Sequence, residues 1–147
     1  MKLRCLRSEE IPQLRSCMME LAAYHNRVAN EFAGDYPIYD LDAQLDYLAE
    51  LVAKGEGRVE AVFENGGIAG FCEASHSGAH GDIGYLFLRK SLRGKGLGER
   101  LLNGAIEYLK ENGVAFIDIK VVAGNPARHF YEKQGFRVSS ETMSQAV

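Results

Sequence analysis

The spacing of hydrophobic and polar positions predicts strands and helices along nearly the whole chain. Residues 2–7 alternate between charged and apolar side chains, as a short strand does. A first helix is predicted after Ser8, with Pro12 tolerated in its first turn, and a second between Asp40 and Gly55. In both segments the apolar residues recur at helical spacing, so each helix has one face for a core.

The middle of the chain predicts three strands. Residues 59–63 alternate with polar neighbours, residues 65–67 form an Asn-Gly-Gly turn, and residues 68–74 return as the second strand of a hairpin. The glycine-containing segment 76–81 is expected to be flexible. It leads into a more continuously apolar strand over residues 83–88, which suits the interior of a sheet.

The second half predicts a long helix from Leu97 to a stop at residues 112–113, then a strand over 115–122. A short helix over 126–134 and a last strand after Phe136 complete the chain. This order predicts an α/β or α+β fold in one domain spanning residues 1–147. Its central sheet is expected to be mixed, mostly antiparallel at first, with one parallel crossover late.

Composition narrows the class of protein. The 147 residues suffice for one core without metal or disulfides, and the net charge of -3 argues against a dedicated nucleic-acid binder. Charged residues interrupt every apolar run too soon for a membrane span or a signal peptide. The three widely spaced cysteines fit reduced thiols, which predicts a cytoplasmic protein.

The most informative segment is a basic, glycine-rich turn at residues 93–98, which joins a buried strand to a helix. Glycines at 94, 96 and 98 allow left-handed backbone angles and close approach of a ligand. The unpaired amides at a helix start attract anions, and Arg93 and Lys95 add full positive charges. These features predict a phosphate or pyrophosphate site. The alternative is a sharp turn with basic residues on the surface.

The spacing of this turn excludes two common nucleotide sites. A dinucleotide-binding fingerprint would have its third glycine at the position of Glu99, and a Walker loop would end in Gly-Lys followed by Ser or Thr. Neither pattern is met. The phosphate ligand is therefore expected to be neither a Rossmann-bound NAD nor a P-loop nucleotide.

Two segments of the chain resemble the Gcn5-related N-acetyltransferase family. Arg93, Gly96 and Gly98 fit the family signature of Arg or Gln, two residues, Gly, one residue, then Gly or Ala. A second match runs from Asn125 through Ala127 and Tyr131 to Gly135-Phe136. The matched segments cover about a third of the chain, and the predicted element order agrees over nearly all of it. The resemblance implies the acyl-CoA N-acyltransferase-like fold and acetyl-CoA as a co-substrate.

The resemblance also implies a role for each matched residue. The pyrophosphate of acetyl-CoA would lie on the turn, whose contributing residues are Arg93, Gly94, Lys95, Gly96, Leu97, Gly98 and Glu99. The pantetheine arm would pair with the backbone of Leu86 and Leu88, in a gap between this strand and the next. Asn125 would bind the arm, and Tyr131 would face the sulfur. An amide near Phe87 or Leu88 would hold the thioester oxygen.

Acetyl transfer to an amine requires a base and an acid. A lysine-like amine with a pKa of about 10.4 is uncharged in roughly one molecule in a thousand near neutral pH. Glu73 and Asp82 are the candidate bases, although either one could be a solvated or capping carboxylate, and Tyr85 is a weaker candidate. Tyr131 can supply the proton for the departing thiolate. Its alternative role is an aromatic ring that closes the core.

Other chemistry is less favoured by the sequence. His76, His80, Asp82 and Cys72 do not have diagnostic metal-ligand spacing, so no metal is predicted. Cys72 is expected to be a buried thiol rather than a nucleophile. The segment 24–40 is rich in tyrosines and carboxylates, which favours a cationic small molecule or an amino-terminal peptide as acceptor. An ordinary loop between helices is the alternative.

These observations predict an acetyl-CoA-dependent N-acetyltransferase that acts by direct transfer in a ternary complex. The partners are acetyl-CoA and an amine-bearing small molecule or peptide, without nucleic acid or membrane, and a homodimer is possible. Two alternatives remain at this point. One is a non-catalytic acyl-CoA-binding or regulatory module of the same fold, and the other is an interaction protein whose glycine turn binds another anion.

Overall fold

The computed structural model describes residues 1–147 and is built around an open five-stranded sheet in the order β1-β2-β3-β4-β5. The strands are β1 (Lys2–Cys5), β2 (Gly57–Glu64), β3 (Gly67–Ser77), β4 (His80–Leu88) and β5 (Phe116–Ile119). Neighbouring strands from β1 to β4 are antiparallel, whereas β5 is parallel to β4. The prediction of a mixed, mostly antiparallel sheet with one late parallel crossover is confirmed.

Four α-helices flank the sheet. They are α1 (Arg15–Val28), α2 (Leu41–Ala53), α3 (Leu97–Glu111) and α4 (Ala127–Lys133). The side chain of Asp40 accepts hydrogen bonds from the amides of Asp42 and Ala43, so it caps α2 as predicted. The first helix differs from its prediction, because residues 8–14 form a 3-10 helix before α1 begins. Pro12 lies within this 3-10 segment. Because proline has no backbone N–H, it cannot donate the hydrogen bond that an α-helix would need at this position.

Two cores lie on opposite faces of the sheet. Helices α1 and α2 cover one face, where Met18, Leu45 and Leu48 pack with Phe71 and Phe87. Helix α3 covers the other face, where Leu97, Leu101, Leu102 and Leu109 pack with Ile83. Strands β2, β3 and β4 contribute to both cores, which explains why β3 is buried without interruption from Ile68 to Ala74.

Two predictions about secondary structure are wrong. Segment 76–81 is not a flexible link, because β3 extends to Ser77 and pairs there with His80, at the start of β4. A tight turn at Gly78, whose φ is +60°, joins the two strands. No strand follows Phe136. Gly135 turns the chain with a φ of +98°, and beyond it Val138 and Met143 are exposed, so no core face holds this segment extended.

None of the helices has the length and apolar character that crossing a lipid bilayer requires. The three cysteines are free, with Cys5 exposed and Cys17 and Cys72 buried.

Candidate active site

A gap opens in the sheet where β4 and β5 part. The pairing of these two strands begins at His80 and Phe116 and ends at Ile83 and Ile119, whereas β4 continues to Leu88. From Gly84 onward, β4 therefore has no strand on this side. The gap gives an extended ligand access to the backbone of a central strand.

The backbone of Leu86 and Leu88 faces this gap. The amide of Arg89 donates to the carbonyl of Ala69 on β3 at 2.9 Å, and backbone groups alternate between the two sides of a strand. This alternation directs the backbone N–H and C=O groups of Phe87 toward β3, and those of Leu86 and Leu88 toward the gap. The side chain of Arg93 donates to the Leu88 carbonyl at 2.9 Å, in agreement with that direction. Phe87 therefore does not place its own amide at the gap.

The glycine-rich turn presents six consecutive backbone amides without a protein acceptor, from Gly94 through Glu99. Gly94 and Gly96 adopt left-handed conformations with φ of +76° and +81°, and Gly96 is the N-cap of α3. The left-handed residues direct the amides of the turn away from backbone acceptors. The remaining free amides belong to the first turn of α3, where no intrahelical acceptor is available. Such a row of free donors at a helix start can bind a diphosphate.

Positive side chains surround the turn. Arg93 and Lys95 are both exposed, and the Arg93 guanidinium lies 5.2 Å from the centre of the Tyr24 ring on α1. A cation over an aromatic face is favourable, so Arg93 is held between α1 and β4. The structure thus brings together all the residues predicted to bind phosphate, at the end of β4 that is nearest the gap.

Tyr131 lies on α4, on the face of the sheet that α3 covers. Its ring makes edge contacts with Phe130, at 5.5 Å between ring centres, and with Phe136, at 6.1 Å. Burial raises the pKa of its hydroxyl to about 12. The hydroxyl therefore stays protonated at neutral pH and can act as a proton donor.

Asn125 begins the turn into α4. Its side-chain oxygen accepts a hydrogen bond from the Ala127 amide at 2.9 Å. This contact fixes the start of the short helix that carries Tyr131. The NH₂ group of Asn125 makes no hydrogen bond within the protein, so it can donate to a ligand.

Glu73 is a buried carboxylate at the apex of the gap. It lies on β3, only 4% exposed, and pairs across the sheet with Val59 and Tyr85 on the face that α1 and α2 cover. Burial and, secondarily, the charge of Asp82 raise its pKa to about 7, while a hydrogen bond from the Gly84 amide opposes the rise. A carboxylate with this pKa can accept a proton near neutral pH.

Gly84 makes room for this carboxylate. The register between β3 and β4 shifts at Glu73, so that Gly84 is an extra residue in β4. A Cβ atom at Gly84 would overlap the Oε2 atom of Glu73. The Glu73 side chain therefore lies across β4 at the point where β4 parts from β5. The sequence analysis did not single out Gly84, although an isolated glycine in an apolar strand is a signal for a bulge.

Tyr85 lies beside Glu73, but its chemistry differs. Burial, followed by the charge of Glu73, raises the pKa of Tyr85 to about 12. The hydroxyl is therefore a poor base at neutral pH. Of the three candidate bases, Glu73 is the one that is buried and has a pKa near neutral pH, where it can accept a proton.

Asp82 lies on the same face as Glu73, next to a carboxylate that the sequence analysis missed. Asp82 pairs with Asp118 on β5, and the Nε2 atom of His80 is 2.8 Å from Asp118 Oδ2. The ligand atoms of these three exposed residues lie within 4.8 Å of one another. Asp118 alternates with Ile117 and Ile119, so its outward position was predictable, but its neighbours depend on parallel pairing with β4.

The other residues considered for metal or nucleophilic chemistry lie elsewhere. The ring of His76 packs against that of Tyr108 on α3, at 5.6 Å between centres, and so lies on the opposite face from Asp82. Cys72 is 2% exposed, and burial raises the pKa of its thiol, so the reactive thiolate is suppressed. The structure separates Cys72 and His76 from His80 and Asp82.

The segment between α1 and α2 borders a cavity of about 350 Å³. Asn26 fixes this segment, because its side chain donates to the Tyr36 carbonyl at 2.9 Å and accepts from the amides of Gly34 and Tyr36. Apolar residues including Met18, Ala22 and Leu41 line the cavity. It is a hydrophobic space beside the face that carries Glu73.

Comparison with known sequences identifies a family. Residues 21–136 match the profile of the family described as the acetyltransferase (GNAT) family. A relative from Bacillus subtilis, described as the uncharacterized N-acetyltransferase YhdJ, is 30% identical over an alignment of 124 residues, which covers 75% of this chain and 87% of that protein.

Two solved structures share the fold and contain a coenzyme. A predicted acetyltransferase from Clostridium acetobutylicum with acetyl-CoA has a TM-score of 0.78 at 20% identity, over 99% of this chain and 95% of that one. The PaiA N-acetyltransferase from Thermoplasma acidophilum in complex with coenzyme A has a TM-score of 0.74 at 17% identity, over 97% and 94% of the two chains.

Proposed function

This chain belongs to the acetyltransferase (GNAT) family, and on that premise we propose that it transfers the acetyl group of acetyl-CoA directly to a primary amine. The acceptor is a small molecule or a peptide, and the reaction takes place in a ternary complex. The observation that carries the proposal is the row of six free amides from Gly94 to Glu99, set at the end of a strand whose other edge is open.

The coenzyme would use both features. Its diphosphate would accept hydrogen bonds from the turn, and Lys95 would add charge attraction. Its pantetheine arm would pair with the free backbone groups of Leu86 and Leu88, as an added strand does. Arg93 must then release the Leu88 carbonyl, to which it now donates at 2.9 Å. The NH₂ group of Asn125 is a further donor for the arm.

Glu73 is the proposed general base. Removing the proton from a lysine-like amine at neutral pH costs roughly 4 kcal/mol, and a less basic amine costs less. Glu73 has a pKa of about 7, so it is partly ionised at neutral pH and has a higher proton affinity than an ordinary carboxylate. Its carboxylate lies over Gly84, beyond the segment of β4 that would bind the pantetheine arm. An amine bound there would approach the thioester with its proton directed to Glu73.

Tyr131 is the proposed acid. The amine nitrogen forms a bond to the carbonyl carbon, and the carbon–sulfur bond breaks, so the sulfur leaves with an electron pair. The Tyr131 hydroxyl, held neutral by a pKa of about 12, donates a hydrogen bond or its proton to that sulfur. The amide of Leu86 or Leu88 would stabilise the negative charge on the carbonyl oxygen.

The proposal is tested with purified protein, acetyl-CoA and a panel of amines, amino acids and peptides, with release of free thiol as the readout. We expect Tyr131→Phe to lower kcat by about 100-fold while calorimetry shows unchanged affinity for CoA. Dephospho-CoA should bind and ATP should not compete. Binding of CoA without transfer to any amine would instead identify a non-catalytic acyl-CoA-binding module. Failure to bind CoA would overturn both readings.

Three further features of the proposal stay predictions. These are a single domain over residues 1–147, a location in the cytoplasm, and a homodimer. Size-exclusion chromatography with light scattering measures the last of these directly.

A further inference from the structure

Three carboxylates form a row across the end of the gap. Glu73 lies on β3, Asp82 on β4 and Asp118 on β5, all on the face that α1 and α2 partly cover. Asp82 pairs with Asp118 on one side and with Ser75, two positions after Glu73, on the other. Because neighbouring strands lie about 4.8 Å apart, the row runs outward from the buried Glu73 over the apex of the gap.

No lysine or arginine side chain of the protein balances this row, since neither forms a salt bridge with any of the three residues. The one basic group in contact with them is His80, whose Nε2 atom lies 2.8 Å from Asp118 Oδ2. The other buried carboxylate, Glu10, shows the usual arrangement, since Arg4 lies 2.7 Å from it. Glu73 is only 4% exposed, and it contacts the Gly84 amide with no lysine or arginine beside it. In its ionised form Glu73 is a buried anion without a counter-charge, and a cationic ligand at this end of the acidic row would balance it.

We propose that the acceptor of this enzyme is a dication, in which a short linker joins the reacting amine to a second ammonium or guanidinium group. The reacting amine lies at Glu73, and the second cation lies between Asp82 and Asp118. This inference rests on the proposed acetyl transfer and extends it to the acceptor.

The two ends of such an acceptor need different surroundings, and the row supplies them. The reacting nitrogen must lose its proton, which the buried Glu73 accepts. The second group must keep its charge, which suits the exposed and solvated Asp82 and Asp118. An acceptor without a second cation would leave Asp82 and Asp118, which pair across adjacent strands, with His80 as their one basic neighbour.

Three acceptors that differ at the far end test the inference, namely butylamine, aminobutanol and diaminobutane. Each has the same reacting amine, and EDTA in every assay keeps divalent ions from His80, Asp82 and Asp118. After correction for its two equivalent amines, diaminobutane should have a kcat/KM about ten-fold higher than the other two, the effect of two exposed ion pairs. The preference should shrink as NaCl is raised, because salt screens exposed charges.

Variants locate the preference. Asp118→Asn should bring the ratio of kcat/KM for diaminobutane to that for butylamine close to one. Glu111→Gln, which removes an exposed carboxylate from α3 on the opposite face, should preserve the ratio. Because the ratio compares two acceptors with one protein sample, a loss of folded protein does not change it.

The outcomes separate this inference from the proposed function. Transfer to all three amines with equal kcat/KM would overturn the dication and leave the acetyltransferase intact. A preference for diaminobutane that Asp118→Asn leaves unchanged would also overturn it. Absence of transfer to every amine, with CoA still bound, would refute the proposed function itself.

Discussion

Replacing Glu73 with glutamine should stabilise the protein at alkaline pH while it slows acetyl transfer. The carboxyl pKa rises from its ordinary value of 4.5 to about 7 in the folded protein. This rise corresponds to about 3 kcal/mol, since one pKa unit is worth about 1.4 kcal/mol. Between these two pKa values the native state holds a proton that the unfolded chain has lost, so the free energy of unfolding falls as pH rises. Glutamine carries no charge and removes this loss.

The assay is equilibrium unfolding in urea at about pH 4 and about pH 8.5, which lie outside the range over which Glu73 titrates. Near pH 4 Glu73 is protonated in the folded parent protein and mostly protonated in its unfolded chain, so a difference from Glu73→Gln reflects mainly packing and hydrogen bonding. Between the two pH values the variant should gain about 3 kcal/mol of unfolding free energy relative to the parent. The charge of Asp82 is the second cause of the raised Glu73 pKa. In a protein that carries Asp82→Asn, the gain in unfolding free energy from Glu73→Gln should therefore be smaller.

Activity gives a second readout of the same titration. The parent's kcat/KM should rise with pH through an inflection near 7, where Glu73 ionises. In Glu73→Gln the inflection should be absent and kcat lower by about 100-fold or more. Parallel stability curves for the parent and Glu73→Gln over this pH range would show that Glu73 ionises normally in the folded protein. The reasoning for the buried base would then fail.

Three other substitutions test the geometry of the site and the fold. Gly96→Ala forces an alanine to a φ of +81°, at a strain of about 1 to 2 kcal/mol, so the Kd for CoA measured by calorimetry should rise about ten-fold. The control is Gly98→Ala, whose added Cβ would make only ordinary contacts with its neighbours, and this variant should bind CoA normally. Equal affinities would contradict the role of the left-handed turn. Gly84→Ala should displace Glu73 and lower kcat about 100-fold, with CoA affinity retained. In a protein that already carries Glu73→Ala, the same substitution should cause no further loss of kcat. An additional loss there would mean that Gly84→Ala has a separate effect on β4. Asp40→Ala removes the cap of α2 and should cost about 1 kcal/mol, seen as a fall of about 2 to 4 °C in Tm, and an unchanged Tm would mean that solvent satisfies those amides.

The sequence could predict features that depend on neighbouring residues. The glycine-rich turn is one, because left-handed glycines and free helix-start amides are local properties of residues 93–98. The Asn65-Gly66 hairpin and the Asp40 cap are others. Segment 76–81 shows the limit of this reasoning. Its glycines suggested flexibility, whereas Gly78 makes a tight turn and the flanking residues pair across it as strands.

The choice of base could not be made from the sequence, because burial depends on contacts between distant segments. Glu73 and Asp82 are both acids near the ends of predicted strands, yet Glu73 is 4% exposed and Asp82 is open to solvent. Glu73 lies in the buried part of β3, on the face that α1 and α2 cover, and the register shift aligns it with the bulge at Gly84 in β4. Asp118 was missed for the same reason, since a parallel partner 36 residues away in sequence brings it beside Asp82.

Under the proposed mechanism, the gap in the sheet would let one site serve two opposite proton transfers. Glu73 projects to the face covered by α1 and α2, whereas Tyr131 lies on the face covered by α3, so a sheet without a gap would separate them. A thioester held at the open edge of β4 would be accessible from both faces. The amine would then give its proton to Glu73 on one side, and the sulfur would receive a proton from Tyr131 on the other. Because the proposed base and the proposed acid have separate surroundings, burial can raise the pKa of Glu73 to about 7 and that of Tyr131 to about 12 without a direct proton transfer between the two groups.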